Sequence, residues 1–190
     1  MIQLALYITV VLGELMAKLR DFKPKGLEGW EYRNDSGLVG SPITIAEDTW
    51  TKVTCDGASS SSKTEFNPAG VTRVWDTGAS RLKFDQVPIQ CNIALRVKVK
   101  VTPVANNAVL GVRVNFTALL ADLSTIDYTF QQEAQDHILH DGAGILYNKT
   151  FVFPLYVGDV SAQRGYGELE VKCTNAASIT DCSVLIVMAG

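Results

Sequence analysis

The sequence predicts an all-β protein built as an antiparallel sandwich or barrel. Apolar and polar residues alternate with a period of two from about residue 30 onward, as they do along a strand with one buried face. Short candidate strands follow one another with turn residues between them, a spacing of roughly 8–12 residues that is typical of sandwiches and barrels. Helical patterning is almost absent beyond the first 20 residues.

The two longest alternating runs lie between residues 92 and 120. In both runs every second residue is apolar: Ile93, Leu95, Val97, Val99 and Val101, then Leu110, Val112, Val114, Phe116, Ala118 and Leu120. The segment 102–107 between them contains the Pro and Asn residues of a tight connection. We therefore expect a long antiparallel hairpin with one apolar face that another layer must cover.

The chain contains enough hydrophobic residues to form a core, and its composition shows no sign of general disorder. Of its 190 residues, 47% are hydrophobic and 19% charged. A net charge of −3 and a pI near 5.4 lack the basic footprint of a nucleic-acid binder, so no nucleic-acid partner is predicted. The four cysteines show no CxxC spacing. Buried reduced thiols are expected, with a cross-strand disulfide between Cys173 and Cys182 as the alternative.

Residues 1–28 differ from the rest of the chain and are predicted to form an N-terminal helical or linker arm. Apolar residues recur there at helical spacing; those assigned to attachment are Leu4, Ile8, Leu12, Leu15 and Leu19. The apolar run is shorter than the roughly 20 residues of a membrane span. It also lacks the basic start of a signal peptide, because the first positive charge is Lys18. A start of translation at Met16 is an alternative explanation for this segment.

Residues 29–190 are predicted to form a single all-β domain. Its strand candidates beside the central pair are 30–33, 42–45, 50–54, 71–75, 81–84, 126–131, 144–157, 168–173 and 179–188. Residues 55–70, with four consecutive serines, have the composition of a long surface loop. On the strand 126–131 we expect Ile126, Tyr128 and Phe130 to point inward.

Two of these strands are apolar on both faces, which a strand in a two-layer sandwich does not require. They predict an oligomer interface formed by Phe151, Phe153, Leu155, Tyr156, Val184, Leu185, Ile186 and Val187. An exposed apolar face is rare on monomers, so packing against sister chains is the simplest explanation. The alternative is that a loop or the N-terminal helix of the same chain covers it.

The order of the segments resembles a known group of viral proteins. Residues 29–33, 45–53, 81–84, 93–101 and 147–153, together with Val74-Trp75-Asp76, resemble the small trimeric jelly-roll proteins of tailed-phage particles. That group is similar in architecture to the tumour necrosis factor and complement C1q heads. The resemblance extends over residues 30–188 and rests on pattern and spacing.

The resemblance implies a non-enzymatic virion protein without a cofactor: a homotrimeric jelly-roll knob held by its N-terminal arm. Its partner would be the major capsid protein or another virion protein, and it would decorate or cement the capsid. The alternative is a receptor-binding knob of a tail fibre or baseplate, whose loops 55–70 and 131–144 would contact a host surface receptor.

One short motif suggests enzymatic chemistry. Asp76-Thr77-Gly78-Ala79 matches the signature of aspartic proteases, in which two aspartates share a proton. A second copy of the motif would be required, and Asp-Thr-Gly is also common in turns. The remote alternative function is therefore an aspartic hydrolase that uses Asp76, and a turn is the preferred interpretation.

Two further polar clusters have both a functional and an ordinary interpretation. His137 and His140, flanked by Asp136 and Asp141, have ligands suited to Zn²⁺. A polar loop explains them better, and no metal site is predicted. The stripe Arg96, Lys98 and Lys100 is expected to be a solvated face, with Glu168 and Glu170 on a neighbouring strand as its partners.

Overall fold

The protein is a sandwich of two antiparallel sheets. The computed structural model describes residues 28–36, 38, 40–57, 60–135 and 142–189. The strands in chain order are β1 (Gly29–Asp35), β2 (Ile43–Ile45), β3 (Thr51–Lys52), β4 (Ser60–Lys63), β5 (Trp75–Asp76), β6 (Arg81–Lys83), β7 (Cys91–Pro103), β8 (Leu110–Leu119), β9 (Ile126–Gln135), β10 (Tyr147–Val157), β11 (Tyr166–Cys173) and β12 (Ala177–Ala189). A short helix, α1 (Val160–Arg164), lies between β10 and β11. The predicted all-β jelly-roll sandwich is confirmed.

Within the described residues, each sheet contains six strands. The first sheet has the order β10-β7-β12-β1-β4, with β2 paired to β12. The second has the order β5-β6-β11-β8-β9, with β3 paired to β11. The pairs β7 and β8, β9 and β10, and β11 and β12 each divide between the two sheets, so the chain repeatedly crosses from one layer to the other.

The predicted hairpin of β7 with β8 is wrong, because these strands lie in different sheets. β7 pairs with β10 on one side and with β12 on the other, whereas β8 pairs with β11 and β9. The apolar faces of β7 and β8 meet in the core, where Val97 and Val114 are fully buried. The sheet that contains β8 therefore covers the apolar face of β7, and the sheet that contains β7 covers that of β8.

Buried polar side chains of β1 form hydrogen bonds with the segment between β3 and β6. Glu31 accepts hydrogen bonds from the amides of Val74 and Trp75, at 2.6 and 3.1 Å. The Arg33 guanidinium donates to the carbonyl of Cys55 at 2.8 Å. Part of the predicted surface loop 55–70 is in fact strand β4, which pairs with β1 at the edge of the first sheet.

β9 is an edge strand of the second sheet. Phe130 and Tyr128 lie opposite Phe116 and Ala118 of β8, and both β8 residues are buried. Yet Phe130 remains 39% exposed, Tyr128 37% and Ile126 56%. Phe130 and Tyr128 therefore lie on the core side of β9, as predicted, but the described part of the chain leaves this edge of the sandwich uncovered.

Candidate interaction surfaces

The structure divides the predicted interface residues between two environments. Five of the eight are buried in the core of their own chain: Phe151, Phe153, Leu155, Val184 and Ile186. Side chains alternate along a strand, and in both strands these five point toward the second sheet. They are not available to contact a sister chain, so their predicted place in an interface is wrong.

The other three residues, Tyr156, Leu185 and Val187, point away from the core. On β10 they are joined by Val152 and Pro154, and Val152 is 60% and Tyr156 52% exposed. The predicted interface omitted Val152 and Pro154, although alternation along the strand places them on the face opposite to Phe151 and Phe153. The outer side of the first sheet is therefore apolar at β10 and β12.

This apolar surface continues across four adjacent strands. Pro154 of β10 lies opposite Ala94 of β7, Ala94 lies opposite Val187 of β12, and Val187 lies opposite Trp30 of β1. Trp30 in turn stacks on the exposed ring of Phe66, with 4.3 Å between ring centroids. We call these residues, together with Val152 and Tyr156, the apolar face.

A polar region adjoins the apolar face at one end. Arg96, Lys98 and Asp181 help to line a shallow cleft of about 230 Å³. The Lys100 ammonium pairs with the Asp181 carboxylate at 2.9 Å. The partners predicted for this basic stripe were wrong, because β11 lies in the other sheet, where Glu168 pairs with Lys52 at 2.6 Å.

The open edge of the sandwich is a second apolar surface. It consists of Ile126, Tyr128 and Phe130 on β9, and we call these three residues the open edge. Phe130 stacks on Phe116 at 4.6 Å between ring centroids, so its ring continues the core to the surface. The Tyr128 hydroxyl donates to Asp159 at 3.0 Å, and burial together with this carboxylate raises the pKa of Tyr128 to about 12.

Asp76 has the geometry of a turn residue. Its Oδ1 accepts hydrogen bonds from the amides of Gly78 and Ala79, at 3.0 and 3.3 Å. An aspartic protease needs a second carboxylate in contact with the first. Asp76 and Asp85 line one cleft, but the Asp85 carboxylate forms an ion pair with the Lys83 ammonium at 2.9 Å. The Asp-Thr-Gly sequence therefore forms the β5–β6 turn.

The cysteines are free thiols, and all four are buried. Cys173 and Cys182 lie on β11 and β12, which belong to opposite sheets, so they are not the cross-strand neighbours that the alternative required. Cys182 instead meets Cys55. The hydrogen bond between these two thiols, together with burial, raises the pKa of Cys55 well above its ordinary value.

Two predicted elements fall outside the described residues. The attachment residues Leu4, Ile8, Leu12, Leu15 and Leu19 lie in the segment 1–27, and His137 and His140 lie in the segment 136–141. Among the residues that are described, no three His, Cys, Asp or Glu side chains are grouped to hold a metal ion. In the same part of the chain, no helix has the length and apolar character needed to span a membrane.

The chain has distant likenesses among solved structures. No protein-family model and no curated protein matches the sequence. Three of the solved structures with similar shapes are the vertex protein P5 of PRD1, Eiger TNF from S. frugiperda and a protein of infectious bursal disease virus, Gx strain.

These likenesses are distant. The PRD1 protein is 13% identical, with a TM-score of 0.41, and the match covers 86% of this chain and 96% of that one. Eiger TNF is 10% identical, with a TM-score of 0.41 and coverages of 84% and 92%. The bursal disease virus protein is 13% identical, with a TM-score of 0.35 and coverages of 77% and 31%. At these TM-scores the likenesses carry no argument about function.

Proposed function

We propose that this protein is a non-enzymatic structural component of a virion, a homotrimeric jelly-roll knob that decorates or cements the capsid. In this proposal the apolar face of each copy packs against the open edge of the next copy. The N-terminal arm, through Leu4, Ile8, Leu12, Leu15 and Leu19, attaches the knob to the major capsid protein or to another virion protein. The resemblance of residues 30–188 to phage jelly-roll knobs supports the virion assignment.

The observation that carries the proposal is the apolar row Pro154, Ala94, Val187 and Trp30 across four strands. The first three of these residues are exposed, and Trp30 is half-buried. Monomers rarely expose a continuous apolar surface of more than a few hundred Å². Burying such a surface contributes roughly 25 cal/mol per Å² of apolar area removed from water. An apolar face that costs solubility in the single chain is therefore a driving force for association.

The open edge supplies a second surface of matching chemistry on the same chain. Contact between two different surfaces of identical subunits is heterologous, and it produces a closed ring when the rotation closes. The apolar face lies on the first sheet and the open edge on the second, so one copy can use both surfaces at once. The phage resemblance favours three copies in the ring.

Attachment to a shell would act through mass action. A protein that binds the assembled capsid but not its dissociated subunits favours the assembled state. Three copies joined in one knob would present three arms, and linked binding segments gain avidity from their high effective concentration. This coupling gives the proposed trimer a role in cementing as well as in solubility.

Location within the particle tests the proposed function. We expect gold-labelled antibody, or an added tag visible by cryo-electron microscopy, to mark many sites over the capsid. Replacing Leu12 and Leu15 by Glu should release the knob from particles while the free protein remains assembled. The matched control replaces Val104, an exposed apolar residue outside both apolar surfaces, by Glu and should leave attachment unchanged.

Other distributions would contradict the proposal. Copies confined to the tip of a tail would favour the receptor-binding alternative. Absence of the protein from purified particles would remove the virion assignment altogether.

A further inference from the structure

A cleft on the second sheet has a composition unlike the rest of the surface. Its volume is about 310 Å³, and it lies between the β6 side of the sheet, the loop that joins β8 to β9, and the end of α1. Arg81, Lys83 and Arg164 contribute positive charges to its lining, and Asp85 contributes a negative one. We call it the cationic cleft.

The charges in the cationic cleft are not balanced. Lys83 pairs with Asp85 at 2.9 Å. Neither Arg81 nor Arg164 forms an ion pair with any residue that the structure describes. Two guanidinium groups therefore line one small cleft without an anionic partner from the described chain, an arrangement that favours an anionic ligand.

Arg81 gives a second, independent indication of a ligand. Its Nε is buried and has no hydrogen-bond partner among the described residues, whereas buried polar atoms in native proteins are nearly always hydrogen-bonded. Its guanidinium lies over the Tyr166 ring, 4.1 Å from the centroid, which orients the group. Arg81 is thus held in place by packing, while its Nε donor has no partner among the described residues.

Two leucines add apolar surface to the cleft, and one of them has a strained backbone. Leu123 is exposed, and its backbone has φ +58°, a left-handed conformation that bulky residues rarely adopt. The Asp122 carboxylate holds this turn by accepting hydrogen bonds from the Ser124 and Thr125 amides, at 3.0 and 2.8 Å. Leu123 and Leu119 therefore add apolar surface to the lining of the cleft beside its charged residues.

We propose that the cationic cleft binds a sugar residue that carries a carboxylate, such as a hexuronic acid. A planar carboxylate matches the donor fork of arginine and accepts charge-assisted hydrogen bonds from it. The apolar surface of the two leucines suits the C–H face of a sugar ring. The Asp85 carboxylate and the Gln163 carboxamide oxygen can accept hydrogen bonds from ring hydroxyls. The volume lies at the lower end of the roughly 300–1,000 Å³ range of small-ligand sites.

A bare inorganic anion would use only part of this site. Sulfate or phosphate would satisfy the two guanidinium groups but leave Leu119, Leu123 and the Gln163 oxygen without a role. The charged residues of the cleft lie on or beside the second sheet, in the layer opposite the apolar face. Its apolar residues adjoin the open edge, because Leu119 lies opposite Ile126.

Titration of the assembled protein with methyl glucuronide, followed by NMR chemical-shift changes or calorimetry, tests the proposal. We expect saturable binding that weakens as salt is added. Methyl glucoside, which lacks the carboxylate, should bind at least tenfold more weakly, and inorganic sulfate should compete poorly. Arg81→Gln and Arg164→Gln should each weaken binding of the glucuronide about tenfold or more.

Arg73→Gln is the matched control, because Arg73 lines the neighbouring cleft beside Asp76 and should not affect binding. Arg164→Gln also guards against a folding artefact, since Arg164 is partly exposed at the end of α1. Equal binding of glucoside and glucuronide, equal binding of sulfate, undiminished binding in both cleft variants, or no saturable binding would each overturn the proposal. A negative result for sugar binding would not affect the proposed function, which is tested separately by the molar mass and by the location in the particle.

Discussion

The Arg33 guanidinium donates to the Asp56 carboxylate at 2.9 Å in an ion pair that is almost completely removed from solvent. Asp56 also accepts a hydrogen bond from the Trp75 indole at 3.1 Å and one from the Ser80 hydroxyl. These donors come from β1, β5 and the β5–β6 turn. One carboxylate thus holds together the segments that connect the two sheets at this end of the sandwich.

Replacing Asp56 by Ala should destabilise the protein by about 3–5 kcal/mol, the usual cost of leaving a buried charge without its partner. Arg33 would lose its anionic partner, and the Trp75 indole would lose its acceptor. Urea unfolding followed by fluorescence would measure the change in the free energy of unfolding.

Asp85→Ala is the control for this change. It removes an ion pair with Lys83 whose two side chains are nearly half exposed, and such surface pairs contribute about 0–1 kcal/mol. Equal losses of stability in the two variants would contradict the role assigned to Asp56.

Gly165, at the end of α1, is required by a close approach of two backbone segments. A Cβ at this position would lie 2.1 Å from the Thr117 carbonyl oxygen in β8, a distance that forces the helix away from the sheet. Gly165→Ala should lower the free energy of unfolding by roughly 3 kcal/mol, the upper end of the usual overpacking range. Thermal and urea unfolding would measure the loss.

Gly78→Ala provides the comparison, because the nearest atom to its Cβ would be Asp76 Oδ1 at 3.5 Å. We expect that variant to unfold like the unmodified protein. An unchanged stability in Gly165→Ala would mean that α1 is not seated on β8 as described.

Tyr128 should ionise later than an ordinary tyrosine. Burial and the nearby Asp159 carboxylate raise its pKa to about 12, from an ordinary value of 10. Because the folded-state pKa is the higher one, this contribution to stability is complete below pH 10 and is lost as the pH rises from 10 to about 12. The difference in ultraviolet absorbance between the unmodified protein and Tyr128→Phe would isolate the titration. A midpoint near pH 10 would show that the hydroxyl is free.

Most strands could be predicted because a half-buried strand alternates apolar and polar residues along its own sequence. On β10, for example, Phe151 and Phe153 face the core while Val152 faces solvent. The alternation within a strand does not show which other strands it pairs with. The alternation of β7 and β8 is the same whether the two strands share one sheet or face each other from two, and here they face each other.

The candidate surfaces were harder to predict, since they depend on which strands lie at an edge. Phe130 has the pattern of a core residue and is exposed only because β9 borders an open edge. Strand β4 has the serine-rich composition of a loop, yet it pairs with β1. The Arg33 guanidinium of β1 also donates a hydrogen bond to the Ser60 hydroxyl of β4 at 2.6 Å. The cationic cleft joins Arg81, Leu123 and Arg164, which are far apart in the chain.

The molar mass of the purified protein in native buffer, measured by light scattering or native mass spectrometry, tests the central claim most directly. The proposed assembly predicts a species of three times the 20.7 kDa chain. Val187→Glu, in the middle of the apolar face, should shift the protein to single chains without changing its circular dichroism, whereas Val104→Glu should remain trimeric. A stable 20.7 kDa species in the unmodified protein, or a Val187→Glu variant that still assembles, would contradict assembly through the apolar face.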